Sequence, residues 1–279
     1  MRTILPALRV ALLLLAPCLC LTTEPAGAET IRPVVRFTIN GQYSMDVELF
    51  SDLVPETVQN FLAYVADNTY TNTIIHRSTT YNYVLDPNSG GRIPTSPWIL
   101  QGGGYGPVST SPLTMGAVQT FDPIALQAGI PNVRGTIAMA RLGDDPVPNP
   151  DSATSGFFFN VTDNSSVFDP LIDQSTGDVT RYGYAVFGRI VEGVLPPLHP
   201  TLHGYELLNA LAFLDVSNTS PQFPVPPFGE MPLIGYSAQP VVAENLVYVT
   251  SIAPVPEPST LVLAGVGLAV AAVAARRRI

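Results

Sequence analysis

Apolar and polar residues alternate from Val34 to Ile39 and again from Tyr43 to Phe50, on either side of Asn40-Gly41, a dipeptide that strongly favours a tight hairpin turn. Between Pro55 and Ala66 the period changes. Val58, Phe61, Leu62 and Val65 fall on one face of a predicted helix, with Pro55 and Glu56 in its first turn, where a missing N–H is harmless and a negative charge meets the positive end of the dipole. Beyond it, short apolar runs separated by glycine, proline and asparagine predict strands at 74–76, 98–101, 136–140, 157–161 and 184–190. Helical spacing returns at Tyr205–Phe213, a proline-rich loop covers Ser220–Pro240, and Leu246–Ile252 predicts a last strand. Many short strands with two helices favour a mainly β fold in which an antiparallel sheet closes on itself, because closure removes the unpaired edges an open sheet exposes.

The two ends of the chain follow other patterns. Arg2 and Arg9 accompany an unbroken apolar run, Ala11–Ala16, and Ala26-Gly27-Ala28 has the small-x-small form of a cleavage site, so residues 1–28 read as a secretory signal peptide. A lipoprotein signal ending at Cys18 or Cys20 is the alternative, disfavoured by Pro17 and the downstream Ala-x-Ala. Both cysteines lie in this segment, so the domain at 29–252 has no thiol for a disulfide, a thiolate metal site or a nucleophile. At the far end, Val255-Pro256-Glu257-Pro258 precedes the uncharged stretch Ser259–Ala275 and then Arg276-Arg277-Arg278. The stretch is at the short limit for a helix that spans a bilayer, and its basic tail would stay on the cytoplasmic side. Motif, small-residue span and basic tail, at 253–279, resemble the PEP-CTERM sorting tag of Gram-negative bacteria. That resemblance implies an exosortase-type processing protease as a partner; a plain membrane anchor is the alternative. On either reading the folded part is exported, to the periplasm, the cell surface or the extracellular space.

The formal charge is -9, and all 13 basic residues are arginine. Removing the two ends takes away five arginines and two acids, which leaves the domain near -12. Such a surface repels phosphate backbones and argues against nucleic acid as a partner. No cofactor and no metal is expected. His199 and His203 lack the intervening glutamate of a zinc-protease helix and have Pro200 between them; Asp144, Asp145 and Asp151, and Asp169, Asp173 and Asp178, do not follow calcium-loop spacing; the glycines at 102–104 and 106 match neither phosphate-cradling motif.

The chemistry-bearing motifs occur in a fixed order: Ile75-His76-Arg77, then Trp98-Ile99-Leu100-Gln101 followed by three glycines, then Met139-Ala140, then Ser155-Gly156-Phe157-Phe158-Phe159-Asn160, then Gly183-Tyr184-Ala185-Val186-Phe187-Gly188. In this order they resemble the cyclophilin family of peptidyl-prolyl cis/trans isomerases, over about residues 34–252. The resemblance implies a cyclophilin-like closed antiparallel eight-stranded β-barrel capped by two α-helices, proline-containing polypeptides as substrates, and a cofactor-free isomerase that assists the folding of exported or surface proteins. It implies Arg77 as the guanidinium that donates to the imide nitrogen, Gln101 as a hydrogen-bonding partner of the substrate backbone, and Trp98, Ile99, Phe158, Phe168 and Tyr184 as the proline pocket, with Ala140 leaving room for the neighbouring residue. His76 is expected to be structural, since no proton is transferred, and Phe187 to belong to the core. Three departures stand out. Twenty residues separate Arg77 from Trp98, so a loop at about 79–97 is inserted beside the site, and Arg92 within it is an alternative functional arginine. Gly156 occupies a position where the family commonly has glutamine. Phe168 and Tyr184 stand where leucine and histidine are usual. These departures keep open a rival reading, a cyclophilin-fold binding or structural module of the cell surface or extracellular matrix with weak or no isomerase activity.

Overall fold

A computed structural model describes residues 32–79, 83–85, 92–94, 98–143, 147–219, 221–223, 227–238 and 240–256. The expected signal peptide and the apolar stretch at 259–275 lie outside them. Strand β1 (Val34–Ile39) alternates half-buried and buried positions, which sends Val35, Phe37 and Ile39 inward. It turns through Asn40-Gly41, both in the left-handed region with φ of 48° and 70°, into β2 (Tyr43–Leu49). Asn40 also fixes the turn from outside, its side-chain oxygen accepting the Tyr248 N–H at 2.6 Å.

Helix α1 (Pro55–Ala66) starts with proline in its first turn, as the spacing predicts. Its buried residues are Thr57, Val58, Asn60, Phe61, Tyr64 and Val65, and the half-buried Leu62 packs against the same core; Tyr64 widens the face beyond the positions the spacing picks out. The tyrosine can be buried because its hydroxyl has a partner, accepting the Phe121 N–H at 2.8 Å.

Seven further strands complete the main sheet: β3 (Thr73–Ile74), β4 (Arg77–Ser78), β5 (Ile99–Gly102), β6 (Thr136–Met139), β7 (Phe157–Asn160), β8 (Val186–Val191) and β9 (Tyr248–Pro254). Their order is β3-β9-β1-β2-β8-β6-β7-β5-β4, with every pairing antiparallel. The two edge strands are two residues apart in sequence. Ile75 donates its N–H to the Val247 carbonyl at 2.9 Å on one edge, and His76 donates to the Gln101 carbonyl at 3.0 Å on the other. The segment 73–78 thereby serves both edges and closes the curled sheet; counted as one strand, it makes the barrel eight-stranded, as expected.

Inside, aromatic rings meet edge to face: Phe37 lies 5.5 Å from Phe157 and 5.3 Å from Phe159, and Phe61 of α1 enters beside Phe187 at 5.0 Å. Phe187 is fully buried, as a core residue should be. The second predicted helix is α3 (Gly204–Ala212), and it buries Leu207, Leu208 and Leu211 against the same core. A single turn, α2 (Ser165–Phe168), has no counterpart in the sequence pattern.

The proline-rich stretch is more structured than a loop. Strand Asp215–Ser217 pairs with Met231–Leu233, a 3-10 turn forms at Phe228–Glu230, and Phe223, Phe228, Met231, Leu233, Val241 and Leu246 bury one another together with Ile74 in a separate cluster. Prolines break any periodic signal here, yet the apolar residues between them still find a common core. The inserted loop forms a hairpin of its own, Tyr83–Leu85 with Arg92–Pro94. The side chain of Arg92 lies outside the described residues.

His76 is 1% exposed, its ring standing edge-on to Tyr105 with centroids 5.0 Å apart. Burial, reinforced by the neighbouring Arg77 charge and only partly offset by the Ile74 carbonyl, lowers its pKa to about 4. The folded chain therefore holds the neutral ring while the unfolded chain takes up a proton below about pH 6.5. Two outcomes are expected in urea unfolding. Phe37→Ala lowers stability by about 3–5 kcal/mol at neutral pH. Stability falls from pH 6.5 to pH 4 by up to about 1.4 kcal/mol per unit from His76 alone, and His76→Gln removes that share of the slope.

Candidate active site

Strand register brings three of the expected residues onto one face. Arg77 stands opposite Gln101 across β4 and β5, and Gln101 stands opposite Phe158 across β5 and β7. Directly paired residues point to the same side of a sheet. Because Phe157 and Phe159 point into the barrel, Phe158 and its partners Gln101 and Arg77 point out of it. Ile99, two positions before Gln101, shares that outer face and is 4% exposed.

The guanidinium is held at two points. Arg77 Nε donates to Glu230 Oε2 at 2.8 Å, and Nη1 donates to Gln101 Oε1 at 3.5 Å. Its side chain remains 39% exposed, open to a ligand. Glu230 is 153 positions away in sequence, at the end of the Phe228–Glu230 turn, and no motif pointed to it.

Phe158, Phe168 and Tyr184 form a wall of mutually edge-on rings, with centroids 5.4 Å apart for Phe158 and each partner and 4.9 Å for Phe168 and Tyr184. The Arg141 guanidinium lies over the Tyr184 ring at 4.8 Å from its centroid. Phe158 is 2% exposed, while Phe168 and Tyr184 are half-buried and reach the surface. An adjoining pocket of about 260 Å³ is lined by Gln101, Ala140, Gly156, Ser155, His76 and Tyr105. Gly156 leaves it open where a longer side chain would intrude.

Trp98 is 5% exposed and its ring packs edge-on against Phe213, at the end of α3, at 5.1 Å. Its backbone is clamped on both sides by Asn164, which accepts the Trp98 N–H at 3.2 Å and donates to the Trp98 carbonyl at 3.1 Å. Asn164 in turn donates to Asn160, and Asn160 to Thr136 and Asn132, a buried polar chain linking β5, β6 and β7. Only the turn-rich composition of Asp163-Asn164-Ser165 hinted at that role.

Gly103 explains one glycine of the triple run. Its φ is +77°, and a Cβ there would lie 2.7 Å from the Phe157 ring and 2.8 Å from the Ser155 carbonyl, so any side chain would push β5 away from β7.

Residues 34–195, more than half of the chain, match the family described as cyclophilin type peptidyl-prolyl cis-trans isomerase/CLD. Residues 254–278 match the PEP-CTERM protein-sorting motif, which implies exosortase-dependent sorting to the cell surface. The chain is 36% identical over 153 residues to a peptidyl-prolyl cis-trans isomerase of Acinetobacter baylyi, covering 54% of this chain and 63% of that protein. It is 35% identical over 150 residues to peptidyl-prolyl cis-trans isomerase B of Escherichia coli, covering 53% of this chain and 72% of that protein. A crystal structure of a Cryptosporidium parvum cyclophilin type peptidyl-prolyl cis-trans isomerase aligns over 82% of this chain and 100% of its own, at 19% identity and a TM-score of 0.48. With its ordered motifs, its barrel and the match over 34–195, the chain belongs to the cyclophilin-type peptidyl-prolyl cis-trans isomerase family.

Proposed function

We propose that this chain isomerises prolyl bonds of exported or surface proteins, with Arg77 and Gln101 as its catalytic pair. The observation that carries the reading is the outward-facing Arg77, its Nη1 aimed at Gln101 and its guanidinium open to solvent beside a pocket that contains Ala140 and Gly156.

The chemistry follows from the amide. Rotation about a peptide C–N bond meets a barrier of about 18–20 kcal/mol, because nitrogen shares its lone pair with the carbonyl. In the twisted state that lone pair returns to nitrogen, which becomes a hydrogen-bond acceptor. A guanidinium supplies the donor and stays protonated at any physiological pH. A hydrogen bond to a charged group contributes about 1.5–3 kcal/mol, one to two decades in rate. The rest has to come from holding the peptide with its proline against the Phe158–Phe168–Tyr184 wall, away from water, while Gln101 grips its backbone. Ile99 adds an apolar position on the same outer face, and Trp98 packs beside it against Phe213. No proton changes hands, which agrees with a buried, neutral His76 that takes no part in the chemistry.

The ends of the chain support the setting. Residues 1–28 act as an export signal, residues 29–252 as the isomerase domain, and the C-terminal tag as the substrate of an exosortase-type protease, with the apolar stretch contacting the membrane before or after cleavage.

One observation favours a second reading, a binding module with little turnover: Trp98, Ile99 and Phe158 are all nearly covered. Exchange NMR on a proline-containing peptide separates the two. Arg77→Ala is expected to lower the catalysed cis/trans exchange rate about tenfold or more with the fold retained by circular dichroism. Unchanged exchange would remove Arg77 from the mechanism, and binding without exchange in the parent chain would establish the binding module instead.

A further inference from the structure

We propose that Glu230 is a positioning residue for Arg77, a role that rests on the isomerase reading above. The carboxylate comes from outside the segment that matches the family, at the end of a turn that is itself firmly anchored. Phe228 is 1% exposed within the separate apolar cluster, and its carbonyl accepts both the N–H and the hydroxyl of Thr219, at 3.0 and 2.8 Å. Met231, immediately after Glu230, is fully buried in the same cluster. The backbone that carries Glu230 is therefore pinned on both sides, and the carboxylate reaches Arg77 from a fixed base.

The point of attachment matters. Glu230 takes the Nε–H, the donor nearest the aliphatic stem, and Gln101 takes Nη1. Held at these two points, the guanidinium plane has a set tilt, and its terminal amino groups are directed along the outer face that Gln101 and Phe158 share. An arginine without such a partner samples many rotamers and must lose that freedom each time a substrate twists. A half-exposed ion pair of this kind contributes little to stability, so its effect should appear in turnover rather than in unfolding. A carboxylate that merely competed with substrate for the guanidinium would have the opposite sign, since its removal would speed the reaction.

The test uses Glu230→Ala and Glu230→Gln in the full chain, each alone and with Arg77→Ala, with kcat and KM read separately on a proline-containing peptide. Glu230→Ala is expected to lower kcat about three- to tenfold, with KM within about twofold and the thermal midpoint nearly unmoved. Glu230→Gln, whose amide oxygen still accepts the Nε–H, is expected to recover most of the loss. In the Arg77→Ala background Glu230→Ala should change nothing further, the non-additivity expected of a residue that acts through another. Unchanged or raised kcat in Glu230→Ala, no recovery in Glu230→Gln, or a fully additive loss would each overturn the proposal. Full turnover in Arg77→Ala alone would remove Arg77 from the mechanism and overturn the proposal with it, whereas absence of turnover in the parent chain would overturn the isomerase reading on which it rests.

Discussion

Two residues carry the chain from one edge of the sheet to the other, and the rest of the structure depends on that step. Ile75 and His76 donate successive N–H groups to carbonyls on opposite edges, Val247 and Gln101, so neither can shift without opening the barrel. Arg77 follows directly, and its register against Gln101 is set by the bond its predecessor makes. The same step leaves the His76 ring buried, edge-on to Tyr105.

Closure also joins two cores. Ile75 belongs to the barrel cluster and Ile74 to the smaller cluster with Phe223, Phe228, Met231, Leu233, Val241 and Leu246. Arg77 thus emerges where the two meet, with Gln101 of the barrel on one side and Glu230 of the proline-rich segment on the other. The proline-rich segment is in this sense part of the site's framework, and its ordering bears on the geometry of a side chain 153 positions away. The aromatic wall is fixed in a comparable way. Phe158 belongs to a central strand, and Tyr184 donates its N–H to the Phe168 carbonyl at 3.1 Å, so the rings are held by backbone as well as by their own contacts.

Much of this was legible in the chain. The turn at Asn40-Gly41, the proline-led first helix and the alternating strands follow from local rules, because period and turn chemistry act over a few residues. The order of the short motifs pointed to the family, and register explains why Arg77, Gln101 and Phe158, scattered in sequence, come to share a face. Other features left no local trace. Tyr64 joins the buried face of α1 with its hydroxyl satisfied by the distant Phe121 N–H. The hairpin formed by Tyr105–Thr110 and Leu113–Ala117 lies in a glycine- and proline-rich stretch without period. The cluster around Phe228 is hidden among prolines, and the Glu230–Arg77 pair and the Asn164 clamp on Trp98 are tertiary contacts that no spacing rule reaches.

The central claim is that a bound imide nitrogen lies against the Arg77 guanidinium on the outer face of β4 and β5. A crystal structure of the domain with a proline-containing peptide tests it most directly. The account predicts the proline ring against Phe158, Phe168 and Tyr184, the peptide backbone on Gln101, and a terminal Arg77 nitrogen within about 3.5 Å of the imide nitrogen. A peptide seated elsewhere, or one in this groove with Arg77 turned away from its imide, would contradict it.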